Sequence, residues 1–359
     1  MVYRGWSGLV LAALLFAGCN NAPAPDAGAN EAVSEAQQER PVFSLAWSEY
    51  PSWSVFGVAD ENGIIDKDKG EMGPIEEKWG VDIVLEQKDY EPCITLFASS
   101  VVDAVCITNM DILQPSLGRA SVAILPTSTS DGADACIVTE GVNLDSLAGK
   151  ASYGLEKSVS QYMFERNLEE LGKSVEDYPF KSMDPGAAAQ AMQTGQDEIN
   201  SIVVWNPFVL QTLRTTPGTS VLFDSTTIPE EIIDMVVVGK DVLARPGGDQ
   251  FAHAVVETFY EVNKLMADPE KGDDALVALG EKFSSLGLED MKIVVEQTKF
   301  YKTPEAATEL FMSEQFRSGT MPKVVAFCVA QEIVDAEPKV GFEDTSAQLN
   351  FTTQFLRAE

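Results

Sequence analysis

Histidine is almost missing from this chain: His253 is the single one among 359 residues. Most Ser and Cys nucleophiles are activated by an imidazole, and many zinc sites bind through one, so its scarcity narrows the enzyme classes open to the chain. No Ser-His-Asp set, His-Glu-x-x-His, Walker loop or Gly-x-Gly-x-x-Gly opening a helix is present. His253 falls inside an amphipathic C-terminal stretch, where a surface or helix-packing role is expected. Positive charge is also scarce, with 25 Lys and Arg against 56 Asp and Glu and a net charge of −31. Such a surface repels nucleic acid, and no basic cluster offsets it. With acids this abundant, a pair of carboxylates carries little information by itself, and the excess reads as a solubility device. The five cysteines show no zinc-ligand spacing. These absences point to a binder with no catalytic residue, metal or cofactor.

The chain does have core-forming material, since 45% of it is hydrophobic, and its length suits two domains. Arg4 gives a thin positive start, and "GLVLAALLFAG" (8–18) is an apolar run too short to span a membrane in the usual way. Residues 1–18 therefore read as a signal peptide. The run ends in "FAGC", which resembles a bacterial lipobox, with Phe16 where Leu is usual. That implies lipidation of Cys19 and attachment to the periplasmic side of the cell membrane. Cys19 opens a segment, 19–40, of Ala, Pro, Asn and Glu with almost no large apolar side chain. It cannot repay its ordering entropy and reads as a flexible linker. Cys93, Cys106, Cys136 and Cys328 are read as free thiols, Cys106 and Cys136 lying in apolar strand-like runs.

From Pro41 onward, apolar runs alternate with helical periods. "VFSLAW", "VDIVLEQ", "VDAVCIT", "SVAILPT" and "ADACIVT" read as strands, and a second series brings "ASYGL", "INSIVVW", "TSVLFDS" and "IIDMVVVGK". Continuous apolar strands alternating with helices imply parallel sheets covered on both faces. After about Gly248 nearly everything has helical period. The expected fold class is α/β, with residues 41–126 plus 232–359 forming one lobe with a helical C-terminal extension and 127–231 forming the other. Two crossings, near 125–128 and 229–234, would then make a hinge. In open α/β sheets ligands sit beyond the carboxyl ends of the strands, which is where Trp47, Asn109, Ser158 and Trp205 fall.

Several stretches taken in order resemble one family: "SLAWSEYPSWSVFGVADENGIID", "VDAVCITNMDIL", "LAGKASYGLEKSVSQYMFERNLEELG", "IVVWNPFVLQ" and "IDMVVVGKDVL". The step from Gly149-Lys150 to Glu156 and then Ser158-Val159-Ser160 is the most recognisable. The chain resembles the substrate-binding proteins of ABC importers of the nitrate/sulfonate/taurine type, over roughly residues 41–300. Within them, "WSEYPSW", "VCITNMD" and "DGADACIV" look closest to the branch found beside urea-carboxylase-type enzymes. One departure is "DKDKGEMGP" (66–74), which extends the loop after the first helix. The resemblance implies a type II periplasmic-binding-protein fold, two α/β lobes with a hinge and a ligand cleft. It implies a monomer that delivers a small solute to an ABC permease. A related fold makes the thiamine pyrimidine with a cysteine-rich iron motif and an active-site histidine, neither visible here; a ligand-presenting sensor lipoprotein is the other alternative.

The resemblance places the loop after the first strand on a cleft wall. Trp47, Tyr50 and Trp53 would give stacking surface there, and Ser48 and Glu49 polar contacts. The alternatives are that Trp47 ends a buried strand and that Trp53 is the core-facing start of a helix. Thr108, Asn109 and Asp111 follow a strand and could bond a ligand, while Asn109 could simply cap a helix. Ser158 and Ser160 open a helix whose free N–H groups point outward, and capping alone also explains Ser158. Trp205 and Asn206 end another strand; Asp131 and Asp134 lie in a polar loop, and Asp234 marks the second crossing. The stretches 47–54, 108–116, 127–135 and 204–208 hold no basic residue, and Lys157 is the nearest. Carboxylates beside aromatic faces suit a cation or a neutral hydrogen-bond donor such as guanidine, urea, an amine or an amide. They suit a sulfonate, nitrate or bicarbonate poorly.

Overall fold

A computed structural model describes residues 40–196, 199–283 and 286–357. The expected signal peptide, Cys19 and nearly all of the linker lie outside the described residues. The strands are β1 (Val42–Trp47), β2 (Asp82–Gln87), β3 (Ala104–Thr108), β4 (Ser121–Thr129), β5 (Asp134–Val138) and β6 (Ser152–Gly154). They continue with β7 (Phe180–Ser182), β8 (Ser201–Trp205), β9 (Ser220–Asp224), β10 (Ile233–Gly239), β11 (Val340–Phe342) and β12 (Leu349–Phe351). Two sheets result, one of seven strands in the order β11-β12-β4-β10-β3-β1-β2 and one of five in the order β7-β6-β8-β5-β9.

Every residue of β3, β4, β5 and β10 is buried, which is why these strands read as unbroken apolar runs rather than alternating ones. The sheets are mixed, however, not parallel. β10 runs antiparallel to β3 and β4, and β5 runs antiparallel to β8 and β9. The chain path explains this. β4 leaves the first sheet at Thr129, residues 130–133 carry the chain across, and β5 starts at Asp134. β9 ends at Asp224, residues 225–232 bring the chain back, and β10 starts at Ile233. A strand that re-enters a sheet at the end its neighbour has just left must run the other way.

The helical reading of the C-terminal part holds for Gly248–Met266, Gly272–Lys282, Leu288–Gln297, Pro304–Met312 and Met321–Ala330. It misses β11 and β12, three residues each and too short to show a period, which extend the first sheet beyond β4. The loop after the first helix also ends in an unexpected short helix, Pro74–Trp79. Glu76 organises it from a buried position. Its carboxylate accepts from the backbone N–H groups of Asp66, Gly73 and Ile83 at 2.7, 2.8 and 2.7 Å. His253 stacks on Trp79 at 4.9 Å and meets the edge of Phe355 at 5.3 Å. The four cysteines among the described residues are buried and free.

A third stretch of chain is bonded to the join between the sheets. Residues 297–301 run antiparallel to the end of β4, where Ser128 and Phe300 form a bridge. Tyr301 donates to the Thr127 carbonyl at 3.0 Å, Thr129 to Lys299 at 3.2 Å and Asp131 to Gln297 at 2.8 Å. The returning segment is tied in as well, with Ser130 donating to the Ile232 carbonyl at 3.2 Å.

Candidate functional site

The two returning strands decide what meets between the sheets. Because β5 begins where β8 ends, Asp134 lies opposite Trp205 in register. Because β10 begins where β3 and β4 end, Asp234 pairs with Thr108 on one side and Ser128 on the other. All but Ser128 of these residues line a cleft of about 710 Å³, together with Ser48, Glu49, Tyr50, Trp53, Asp111 and Ser158. The size lies in the ordinary range of small-molecule sites.

Its electrostatics are one-sided. Seven carboxylates line the cleft (Glu49, Asp89, Glu91, Asp111, Asp134, Glu156 and Asp234) against two lysines, Lys88 and Lys157. Both lysines are otherwise engaged: Lys88 Nζ donates to Glu86 at 2.9 Å and Lys157 Nζ to the Glu332 carbonyl at 3.3 Å. Asp234 is only 2% exposed and Asp134 only 4%, and neither has a salt-bridge partner among the described residues. Ser128 Oγ donates to Asp234 at 2.6 Å, and Ser130 Oγ donates to Asp134 at 2.6 Å. Asp111 accepts from Tyr90 Oη at 2.7 Å and Thr108 Oγ1 at 2.8 Å.

Neutral hydroxyls cannot replace the lost hydration of an anion, so each carboxyl resists ionising. Burial pushes Asp134 up to about 6 against the pull of the Ser130 hydroxyl. Burial also carries Asp234 well above the usual carboxylate range; the Ser128 hydroxyl opposes the shift, and the charge of Asp134 adds to it. Asp111 is raised by burial in the same way, less the help of Tyr90 and Thr108. The hydroxyl of Tyr50 faces Asp234, and burial with the charges of Asp234 and Asp134 raises it far above its ordinary value.

Three rings form one strip on the wall. Tyr50 and Trp53 are tilted at 4.9 Å between centroids, and Trp53 stacks on Tyr90 at 5.2 Å and 22°. Tyr90 sits at the start of the helix Tyr90–Ala98, just beyond β2. It was not among the expected residues, nor were its neighbours Gln87, Lys88, Asp89 and Glu91, which also line the cleft. The rule that ligands sit beyond strand carboxyl ends, applied to the edge strand β2, would have found them.

Five expected residues lie elsewhere. Trp47 is buried against the helix Val55–Glu61, so close that a Cβ on Gly57 would lie 2.9 Å from its ring. It is the last residue of its strand, and its ring goes to the covered face. Asn109 clamps the returning segment, donating from Nδ2 to the Glu231 carbonyl and accepting from the Ile233 N–H, both at 3.1 Å. Asp131 lies in the first crossing and is held by its N–H to Gln297. Ser160 is turned inward and buried in the helix Val159–Glu170. Asn206 is buried, its Nδ2 donating to Gln297 Oε1 at 2.7 Å. Ser158 lines the cleft and caps its helix at once, accepting from the Ser160 N–H at 3.1 Å.

The chain path, the two sheets and the cleft between them have counterparts among solved structures. The aliphatic sulphonate binding protein SsuA of Escherichia coli superposes with a TM-score of 0.67 at 14% identity, over 82% of this chain and 89% of that one. The alkanesulfonate-binding protein SsuA of Xanthomonas axonopodis pv. citri, bound to MOPS, gives 0.63 at 14% identity, over 83% and 96%. A Candida albicans gene product with the generic periplasmic binding protein fold gives 0.58 at 11% identity, over 82% and 92%. The chain has the two-lobe type II periplasmic-binding-protein fold. No protein-family model matches it, and no curated protein sequence does either. At these identities the likeness speaks for the fold, and the ligand must be argued from the cleft itself.

Proposed function

We propose that this protein is the solute-binding component of an ABC importer, and that its solute is a small nitrogen compound: guanidine, urea, an amine or an amide. In this reading the protein is a monomer, held by lipid on Cys19 to the periplasmic side of the cell membrane, that hands its solute to a permease. The fold shared with sulfonate-binding proteins supports the transport role.

One observation carries the choice of solute. Asp111, Asp134 and Asp234 line an aromatic cleft, and no basic side chain among the described residues is bonded to any of them. A sulfonate or nitrate entering it would find no positive partner among carboxyls that already resist ionising, and an unpaired buried charge costs several kcal/mol. A cation or a donor-rich neutral molecule instead supplies the missing partner, and the rings add cation–π attraction of about 2 kcal/mol when desolvated. Calorimetry of the full chain with guanidinium, urea and methylamine against ethanesulfonate and nitrate tests the reading. Micromolar binding is expected within the nitrogen set. Micromolar binding of ethanesulfonate or nitrate with none for that set would overturn it.

A further inference from the structure

The negative charge of the cleft is divided between two stations joined by the ring strip. At one end Asp234 and Asp134 line the cleft with Tyr50, whose hydroxyl faces Asp234, and the charge of Asp134 opposes ionisation of Asp234. At the other end Tyr90 donates to Asp111 at 2.7 Å. Trp53 lies between, 4.9 Å from Tyr50 and 5.2 Å from Tyr90. Each station also keeps an open acceptor. Only one oxygen of Asp111 and one of Asp134 takes a side-chain hydrogen bond from the described residues, though Asp134 is 4% exposed.

We propose that the ligand is an elongated dication: two protonated nitrogens, amine or guanidine, joined by an alkyl spacer lying along Tyr50, Trp53 and Tyr90. The proposal deepens the reading above and rests on it. A single small cation can serve one station and leaves the other without a cationic partner. A dication serves both, with each nitrogen within about 6 Å of an outer ring and the methylenes along the cleft-facing edge of the strip. The two steps of the strip set the outer rings at most about 10 Å apart, a span open to a short aliphatic diamine. The cleft volume of about 710 Å³ agrees, being far more than a lone guanidinium fills.

The test is calorimetry of the full chain with putrescine, cadaverine, butylamine, guanidinium and ethanesulfonate. One of the two diamines is expected to bind at least tenfold tighter than butylamine. Asp111→Asn is expected to remove that advantage, lowering diamine affinity at least tenfold and butylamine affinity much less, because a single amine cannot span both ends. Should D111N fail to melt cooperatively, the wild-type comparison decides alone: a diamine at least tenfold tighter than butylamine supports the dication, and equal affinities overturn it. Butylamine or guanidinium binding as tightly as both diamines overturns the dication and leaves the cationic-solute reading standing. Binding of ethanesulfonate alone, or of no compound to cooperatively melting protein, overturns both.

Discussion

Glu231 should be the most consequential single carboxylate for stability. It lies in the segment returning to the first sheet and is 4% exposed. Arg166 Nε donates to it at 2.8 Å, Lys323 Nζ at 2.7 Å and Tyr162 Oη at 2.7 Å. Arg166 and Tyr162 belong to the helix Val159–Glu170 beside the second sheet, and Lys323 to the C-terminal helix Met321–Ala330. Burial opposes its ionisation, but Arg166, then Lys323 and Tyr162, win and hold the carboxyl at about 2 against an ordinary 4.5. That difference makes the ionised form worth about 3 kcal/mol to the folded state. Glu231→Gln keeps the shape and mimics the protonated acid, so it should cost about 3 kcal/mol at neutral pH. The sign follows from the depressed value. The stabilisation is fully present above about pH 5, where the unfolded carboxyl is also ionised, and is lost as pH falls toward about 2. Urea unfolding of wild type and E231Q across that range reads it directly, with the gap between their stabilities closing as acid is added. A gap under about 1 kcal/mol at neutral pH, or one that does not narrow in acid, would show that the three donors do no more than repay desolvation.

Two other outcomes are expected. Asp134→Asn should stabilise the empty protein at neutral pH by up to about 3 kcal/mol, since burial holds the native carboxyl at about 6; thermal melts should show the difference fade below about pH 4, where folded and unfolded carboxyls are both protonated, and equal melting at neutral pH would refute the burden. Cys19→Ser should shift the protein from the membrane fraction to the soluble periplasm or leave it unprocessed, and unchanged fractionation and migration would refute the anchor.

What the sequence made legible depends on the kind of signal each residue carries. The α/β class was readable because β3, β4, β5 and β10 are unbroken apolar runs, and such runs need cover on both faces. Strand direction was not, because hydrophobicity has no sense along the chain, so β5 and β10 were taken as parallel. The same gap bears on the cleft. Asp134 and Asp234 were candidates only as acids near the crossings; their place at the amino ends of reversed strands, opposite Trp205 and Thr108, comes from topology. Side-chain direction defeated Trp47, since one residue along a strand separates a covered ring from a cleft-facing Ser48. Tyr90 escaped for a different reason. It follows an edge strand and opens a helix whose apolar period starts after it, so no aromatic cluster announces it.

The short stretch 297–301 has a mechanical consequence. Laid edge to edge with the outgoing connection, it turns a single flexible thread into a ribbon, and hydrogen-bonded ribbons resist stretching and in-plane shear far more than bending across their width. A motion of the two halves that kept these hydrogen bonds would therefore bend the ribbon across its width, while sliding and in-plane shear would break them. Any approach of Asp134 and Trp205 toward Tyr50 and Tyr90 would follow that arc. Asp134 would then arrive at the ring strip in one fixed register on every cycle, and discrimination between ligands of different length would not be blurred by play in the joint.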